Sequence, residues 1–369
     1  MPGDDDTATS DADGDSDADG DSDTDGDSDT DGDSDTDSDS DSGTGCSPID
    51  FEITGTVVDM LIVLDRSNSM AEGNPVLWNT MGNALRQVTS QMAQQINFGL
   101  MLFPSLECVS LTNTKPCATP STAYVDIGSP TAVTQIDEAV GKAGDPGVGT
   151  CGGTPTAATL NVAKNYLQQV QDSFAKYVLL ATDGAPNCNS ALNGSTCTCT
   201  GQSCPSQPLN CLDDTRTYDA ATALYGAGYP VYVIGVGGSM QWQTVMNQIA
   251  SAGGTNEYYP AGDAAALLAA MEKITGSIVS CDFDIGWDTL PKGTSTDPDL
   301  VNFYCKQDKS EPNSDDNVIG LDPGCANGNG WDWVDADTIR FCDNACQKLK
   351  TQGCPVVTAM FGCFSTPVD

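Results

Sequence analysis

The sequence predicts an α/β protein with a doubly wound, mostly parallel central sheet, helices on both faces of that sheet, and a small disulfide-rich β module at the carboxyl end. From residue 46 to about residue 280, short apolar segments alternate with segments of helical periodicity. The apolar segments lack the in-out alternation of half-exposed strands, which indicates strands buried on both faces. Residues 281–369 carry seven cysteines and short alternating stretches, which indicate the separate β module.

The elements of the predicted sheet follow one another in order. The first strand, residues 58–64, is apolar except for Asp59, and Pro75 favours the start of a helix that extends to Gln95. A short strand at 123–127 is predicted to be an antiparallel edge strand. The other predicted strands are 98–103, 177–181, 231–236 and about 256–259, and the other helices are 132–143, 155–170, 213–225, 242–251 and 264–278.

The charge of the chain is strongly negative and unevenly distributed. Of a formal charge of -38 over 369 residues, residues 1–42 contribute 19 aspartates and no basic residue, which leaves 33 acidic and 14 basic residues elsewhere. A net charge of -19 outside this tail excludes nucleic acid as a partner held by phosphate contacts. The chain has no histidine. This excludes the commonest general base, the Ser/His and Cys/His nucleophile pairs and zinc sites that contain histidine.

Residues 1–45 form a low-complexity acidic tail that repeats Asp-Ser-Asp-(Ala/Thr)-Asp-(Gly/Ser). A segment without large apolar residues cannot bury a core, so we predict a disordered, solvated spacer. The alternative is a calcium loop, because residues 21–26 resemble the start of an EF-hand or thrombospondin type 3 loop. Gly32 stands where an EF-hand needs its bidentate glutamate, so we expect only weak calcium uptake by the tail.

The sixteen cysteines favour disulfides and an oxidising compartment, hence an extracellular, cell-surface or periplasmic protein. The alternative is thiolate zinc, above all in the loop with Cys197, Cys199 and Cys204, although that spacing is unusual for zinc. The chain opens on Met-Pro-Gly-Asp-Asp-Asp, so an export signal is not visible in this sequence. No stretch reaches the length of a transmembrane segment.

Oxygen-bearing side chains follow two of the predicted strands and precede one helix. Asp65, Ser67 and Ser69 occupy alternate positions directly after the first strand, and Asp183 follows the strand 177–181. Thr154 lies in a glycine-containing loop before a helix. Loops at the carboxyl ends of parallel strands form the ligand site of an open α/β sheet, and hard divalent cations prefer oxygen ligands. The turn with Asp65, Ser67 and Ser69 therefore predicts a cation site, and because two hydroxyls and one carboxylate cannot fill an octahedron, further oxygen donors must come from later segments.

This pattern of Asp-x-Ser-x-Ser, then Thr, then Thr-Asp-Gly resembles the metal ion-dependent adhesion site of von Willebrand factor type A domains, a Rossmann-like fold. The resemblance covers residues 46–280, about two-thirds of the chain, and implies a secreted bacterial type of such protein. It implies a metal site of Asp65, Ser67, Ser69, Thr154 and Asp183. The expected ion is Mg²⁺ or Mn²⁺, with Ca²⁺ as the less suited ion. The resemblance further implies a non-enzymatic binding or adhesion protein, whose protein ligand presents an Asp or Glu to the metal.

Two alternatives to adhesion remain open. One is a structural calcium-binding surface protein in which the acidic tail is the active element and the metal site is vestigial. The other is an enzyme: a strand followed by Asp-x-Ser resembles haloacid dehalogenase-type phosphatases, but that family needs Asp-x-Asp, and Ser67 occupies the second carboxylate's position. Neither a G-x-S-x-G elbow nor a phosphate-binding P-loop is present.

The position of the cysteines in the implied fold leads to three expected bridges. We expect Cys151 to pair with Cys188 and so to join the Thr154 loop to the Asp183 loop, a local bridge between Cys108 and Cys117, and a bridge from Cys46 to Cys281. The last follows from parity, because nine cysteines precede residue 212 and seven follow residue 280, so full pairing needs an odd number of bridges between the two groups.

In the carboxyl-terminal module, residues 331–334 and 338–341 are predicted strands and residues 345–349 a helix. Trp287, Trp331 and Trp333 could stack on sugars, but in so small a module we expect them to form the core.

Overall fold

The structure of the chain is a computed structural model that describes residues 47–52, 57–73, 76–108, 115–141, 145–278, 280–285, 287, 290, 297–350, 354 and 356–368. The predicted tail, Cys46 and Pro75 lie outside the described residues. The strands are β1 (Ser47–Glu52), β2 (Val58–Asp65), β3 (Ile96–Phe103), β4 (Lys176–Thr182), β5 (Val231–Val236), β6 (Tyr259–Ala261), β7 (Asp282–Asp284), β8 (Val301–Lys306), β9 (Val318–Ile319), β10 (Trp331–Trp333), β11 (Thr338–Phe341) and β12 (Val356–Phe361). The helices are α1 (Leu77–Gln91), α2 (Ala132–Val140), α3 (Thr156–Leu167), α4 (Asp214–Tyr225), α5 (Gln243–Ala252), α6 (Ala264–Ile278) and α7 (Asp343–Lys350).

The central sheet contains five strands in the order β3-β2-β4-β5-β6, and every pair in it is parallel. Successive residues of β2 point to opposite faces, and both faces are buried. Ile62 packs into a core with α1, α2 and α6, whereas Leu61 and Val63 pack into a second core with α3, α4 and α5. This confirms the predicted doubly wound α/β class, and it places the carboxyl ends of β2 and β4 side by side.

The predicted antiparallel edge strand at 123–127 is not a strand in the structure. It contributes one isolated antiparallel bridge, in which Leu100 and Val125 exchange two backbone hydrogen bonds of 2.9 and 3.0 Å. In a continued strand the N–H of Ile127 would be the next to bond to β3, but it donates to the Tyr166 hydroxyl at 2.8 Å instead. A side chain on α3 therefore takes the hydrogen bond that a continued ladder would need.

The carboxyl-terminal region contains two small antiparallel sheets, with strand orders β1-β12-β8-β9 and β10-β11-β7. Trp331 is fully buried in their shared core, and Trp287 and Trp333 pack against it. The expectation that Trp331 forms core rather than a sugar platform is confirmed. Strand β1 precedes the α/β part in sequence, yet it pairs with β12, so the first strand completes the carboxyl-terminal sheet.

The three expected disulfides are wrong. Cys151 pairs with Cys108, Cys188 pairs with Cys117, and Cys281 pairs with Cys346. The physical reason is the position of the loop after β3, which lies against both the loop that carries Thr154 and the segment that follows Asp183. Its two cysteines therefore bond to those two segments rather than to each other. The other bridges are Cys197–Cys211, Cys199–Cys204, Cys305–Cys354 and Cys325–Cys342. Because Cys197, Cys199 and Cys204 are all oxidised, the thiolate zinc alternative for that loop is also wrong.

No helix among the described residues combines the length and the apolarity that a membrane span would require.

Candidate metal centre

The candidate site lies at the carboxyl ends of two neighbouring strands. Asp65 is the last residue of β2, and Asp183 directly follows the last residue of β4. Ser67 and Ser69 lie in the turn that leaves β2, and Thr154 lies two residues before the first residue of α3. The structure therefore places all five sequence-predicted residues at one edge of the sheet.

Three of these side chains are in direct contact through oxygen atoms. The Ser67 and Ser69 hydroxyl oxygens are 3.1 Å apart, and the Ser69 hydroxyl donates to Asp183 Oδ1 at 3.0 Å. Thr154 is 4% exposed and lines the same cavity as Ser69 and Asp183. Among the described residues, its hydroxyl has no hydrogen-bond partner. Two hydroxyl oxygens and one carboxylate oxygen thus lie within hydrogen-bond distance in sequence, beside a cavity that Thr154 also lines.

The spacing of these oxygens suits a small divalent cation. Ligands of octahedral Mg²⁺ lie about 2.0–2.1 Å from the ion, so neighbouring ligands at right angles are roughly 3 Å apart. The contacts of 3.0 and 3.1 Å among Ser67, Ser69 and Asp183 match that separation. A set of hydroxyls and two carboxylates is also the chemistry that Mg²⁺ and Mn²⁺ prefer. The residues present therefore fit the group that the sequence motif implies.

Asp65 is fully buried, and hydrogen bonds fix both of its carboxylate oxygens. Oδ1 accepts the Ser67 backbone N–H at 2.7 Å, and Oδ2 accepts the Thr182 hydroxyl at 2.5 Å. Burial, with the nearby Asp183 carboxylate as the second cause, raises the pKa of Asp65 to about 7. Burial also raises the pKa of Asp183 to about 6, and the Glu72 charge adds to that shift. Two carboxylates are therefore held where their negative charges are costly without a cation.

A buried arginine joins the three loops around these carboxylates. Arg66 is 3% exposed, and its guanidinium donates to carbonyl oxygens of Pro104 and Ser105, which follow β3. It also donates to Gly149 and Val148 in the loop that carries Thr154. The rigid fork of the guanidinium can satisfy several carbonyls at once, so this side chain sets the spacing of the loops.

The Thr154 loop lies along the turn that leaves β2. Asn68 accepts the Gly152 N–H with its side-chain oxygen at 3.1 Å, and its own N–H donates to the Gly152 carbonyl at 3.0 Å. Gly152 has a φ of 73°, and an added Cβ would come within 2.2 Å of the Pro116 carbonyl oxygen. Only glycine permits so close an approach, which brings Thr154 to the edge of the site.

Asn187 connects Thr154 to the Asp183 side. Its side-chain oxygen accepts the Thr154 N–H at 2.8 Å, and its own N–H donates to the Thr154 carbonyl at 2.9 Å. Its amide nitrogen also donates to the Thr200 hydroxyl at 3.1 Å, in the cysteine-rich loop. This loop is thereby attached to the rim of the site.

Two disulfides hold the same loops covalently. Cys108–Cys151 joins the loop after β3 to the Thr154 loop, and Cys117–Cys188 joins the loop after β3 to the segment after Asp183. Their Cα atoms are 5.9 and 5.6 Å apart, within the ordinary range for disulfides. The loop after β3 is thus crosslinked both to the Thr154 loop and to the segment after Asp183.

The sequence did not predict the supporting roles of Arg66, Thr182 and Asn187. The signal for Thr182 was present, because it directly precedes Asp183 at a strand end. The roles of Arg66 and Asn187 depend on carbonyls and amides from distant loops, which carry no sequence signature.

Comparison with known families decides which fold family this geometry belongs to. The profile of the von Willebrand factor type A domain matches residues 59–273, more than half of the chain. The chain belongs to the von Willebrand factor type A domain family. The match includes the segments of all five site residues. A search of curated proteins finds no match.

Several solved structures are similar to the chain. The pilus adhesin SpaC from Lactobacillus rhamnosus GG is 16% identical, with a TM-score of 0.46 over 83% of this chain and 39% of SpaC. The manganese-loaded TRAP protein of Plasmodium vivax is 20% identical, with a TM-score of 0.39 over 62% of this chain and 76% of TRAP. Proximal thread matrix protein 1 from the mussel byssus, with a zinc-occupied MIDAS motif, is 16% identical, with a TM-score of 0.38 over 61% of this chain and 46% of its own. The chain thus spans less than half of the pilus adhesin and of the mussel protein.

Proposed function

We propose that this von Willebrand factor A domain protein binds a divalent cation with Asp65, Ser67, Ser69, Thr154 and Asp183, and that it binds a protein ligand through an acidic side chain of that ligand. The contact of the Ser67, Ser69 and Asp183 oxygens at 3.0–3.1 Å beside an open cavity carries the proposal. We propose Mg²⁺ or Mn²⁺ as the ion, because Ca²⁺ prefers more carboxylates.

The bound cation would supply an open coordination position that an incoming carboxylate can occupy. The residues of the chain supply the rest. Two carboxylates offset the charge of the ion, and the hydroxyls of Ser67, Ser69 and Thr154 add no further negative charge. Asp65 is kept in place by Ser67 N–H and Thr182 O–H, so the site loses little entropy when it binds.

Binding rather than catalysis is the role we propose for the site. The chain has no histidine to act as a general base at neutral pH. Asp65 is enclosed by hydrogen bonds and is fully buried, so it is placed to hold a cation and not to attack a substrate. Seven disulfides among the described residues support an extracellular or periplasmic location.

Two measurements test the proposal. Calorimetric titration of the metal-free protein with Mg²⁺, Mn²⁺ and Ca²⁺ should give one site that Asp65→Ala abolishes. Asp219→Ala is the matched control, because Asp219 is exposed on α4 and outside the site, and it should bind metal normally. A pull-down from cell-surface extracts should then recover a protein with Mg²⁺, but not with EDTA and not with Asp65→Ala. Equal recovery in all three conditions would refute the proposed function.

A further inference from the structure

A cavity of about 420 Å³ adjoins the candidate metal centre. Its lining includes Ser69, Thr154 and Asp183 of the candidate metal centre, and also Glu72, Leu77 and Trp242. At about 30 Å³ for each water, a volume of this size corresponds to roughly fourteen waters, enough room for one long side chain. A residue next to a metal-bound acid would therefore meet this cavity first.

The charge of the cavity lining is negative. Glu72 is exposed, and within the described part of the chain its carboxylate has no ion pair and no hydrogen bond. The described lining includes neither lysine nor arginine. In the metal-bound state Asp65 and Asp183 offset the charge of the ion, whereas no cation in the described lining offsets the charge of Glu72. The cavity therefore favours a cation from the partner.

The lining also includes two large apolar side chains, Leu77 and Trp242. Leu77 packs so closely on Gly237 that a Cβ added there would lie 2.5 Å from Leu77 Cδ1. Trp242 is half-buried: it packs against the core beneath α5 and also lines the cavity. An aliphatic stem can pack on such a surface while its charged end stays near Glu72, and a tryptophan ring attracts a nearby cation.

We propose, on the basis of the function proposed above, that the partner presents a lysine or arginine one or two residues from its metal-bound acid, and that the cavity bounded by Glu72, Leu77 and Trp242 receives this basic side chain. Neighbouring Cα atoms are about 3.8 Å apart, and residues two apart in an extended segment about 7 Å, so both positions reach a cavity that shares its lining with the metal site. A basic neighbour also counteracts the repulsion of an acidic segment by a chain of net charge -19 outside its tail.

The first experiment is a selection from a displayed peptide library that has one fixed aspartate between randomised positions, in Mg²⁺ and with EDTA elution. The wild-type protein should enrich lysine or arginine within two positions of the aspartate. Selection on Glu72→Gln should lose that preference, whereas selection on Glu257→Gln should keep it. Glu257 is the matched control because it is exposed and precedes the amino end of β6, away from the metal-site edge.

The second experiment is a double-mutant cycle with one selected peptide and its basic-to-alanine counterpart, at saturating Mg²⁺. Loss of the basic residue should weaken binding to the wild-type protein about threefold to fivefold, the range of an exposed ion pair, and should have little effect with Glu72→Gln. Trp242→Ala should weaken binding of the basic peptide by a similar factor and leave Mg²⁺ affinity unchanged.

The outcomes separate the two proposals. If no clone depends on Mg²⁺, both the proposed function and this inference are overturned. If clones depend on Mg²⁺ but show no basic preference, or a preference that Glu72→Gln leaves intact, the metal-dependent binding stands and only the basic subsite is refuted.

Discussion

Asp65 shows how burial affects the protonation of a single candidate metal ligand. In the metal-free protein its carboxyl has a pKa of about 7, because burial disfavours the charged form. The folded state therefore holds this proton more tightly than the unfolded chain, in which the pKa of the carboxyl is 3.8. The resulting stabilisation is fully present below pH 3.8 and is lost as the pH rises through about 7. Asparagine resembles the protonated carboxyl and carries no charge at any pH.

We accordingly predict that Asp65→Asn stabilises the metal-free protein at pH 8, by on the order of a few kcal/mol. The difference should shrink as the pH falls below about 7, because the wild-type carboxyl then binds its own proton. Thermal unfolding in EDTA across this pH range measures it. With Mg²⁺ present, the order should reverse, since only the wild type binds the ion. A difference that is independent of pH would contradict the buried, charged state of Asp65.

Thr182 is a second residue whose role can be tested by itself. Its hydroxyl donates to Asp65 Oδ2 at 2.5 Å, so it orients that carboxylate. Thr182→Val keeps the shape and removes the donor, and we expect it to lower Mg²⁺ affinity about tenfold, as measured by calorimetry. Thr182→Ser retains the hydroxyl and should bind Mg²⁺ nearly as tightly as the wild type. Equal losses for both variants would show that packing, not the hydrogen bond, matters.

At the scale of elements, the loop after β3 is the connection between the metal-site loops. Removing Cys117–Cys188 as the double serine variant should lower the free energy of unfolding by about 3–5 kcal/mol, because the bridge closes a long loop. It should also weaken Mg²⁺ binding, since the segment after Asp183 loses its attachment. The control is Cys325–Cys342 in the carboxyl-terminal module, whose removal should cost about 3 kcal/mol and leave Mg²⁺ affinity unchanged. Unchanged Mg²⁺ affinity in both variants would show that Cys117–Cys188 does not hold the segment after Asp183 in a metal-binding position.

Arg66 is the noncovalent counterpart of these bridges. We predict that Arg66→Lys lowers the free energy of unfolding by about 1–3 kcal/mol. The single ammonium group of a lysine cannot bond to carbonyls of both loops that the guanidinium joins, so some of these carbonyls would be buried and unpaired. Urea denaturation in EDTA isolates this effect from metal binding. Arg216→Lys at an exposed site should change stability by less than about 0.5 kcal/mol, and an equal effect of the two changes would contradict the prediction.

At the scale of the whole molecule, the sequence predicted those features that depend on residues close together in the chain. Helix α6 begins at Ala264 and ends at Ile278 as predicted. Of its four apolar residues at helical spacing, Leu267, Met271 and Ile274 are fully buried, whereas Leu268 is only partly buried. The five site residues could be placed at one edge because strand order and the ends of parallel strands determine their neighbourhood. The use of these residues as metal ligands, and the boundaries 46–280 and 281–369, remain predictions.

Contacts between distant segments could not be predicted in this way. The pairing of cysteines depends on how the loop after β3 folds, and nothing near Cys108 or Cys117 in sequence indicates that fold. Strand β1 was also missed, because it is short and its partner β12 lies at the other end of the chain. The four backbone carbonyls that bind Arg66 come from two loops, so no pattern around Arg66 reveals its burial.

The parity of the cysteines leads to one more prediction at this scale. Seven disulfides account for fourteen of the sixteen cysteines, and Cys363 is also disulfide-bonded. Cys46 lies outside the described residues, but Ser47 pairs with Phe361 in the β1–β12 register. We predict a Cys46–Cys363 bridge, detectable by mass spectrometry of a non-reduced digest. A different partner for Cys363 would contradict both the parity and the register.

The pairing of β1 with β12 also has a consequence for biosynthesis. The two strands are about 300 residues apart, and the entire α/β part lies between them. During translation the first strand leaves the ribosome without a partner and waits until the last strand has been made. The intervening α/β part does not depend on that pairing, because its own sheet consists of β2 to β6. We therefore expect the α/β part to be able to fold before β1 is incorporated into the carboxyl-terminal sheet.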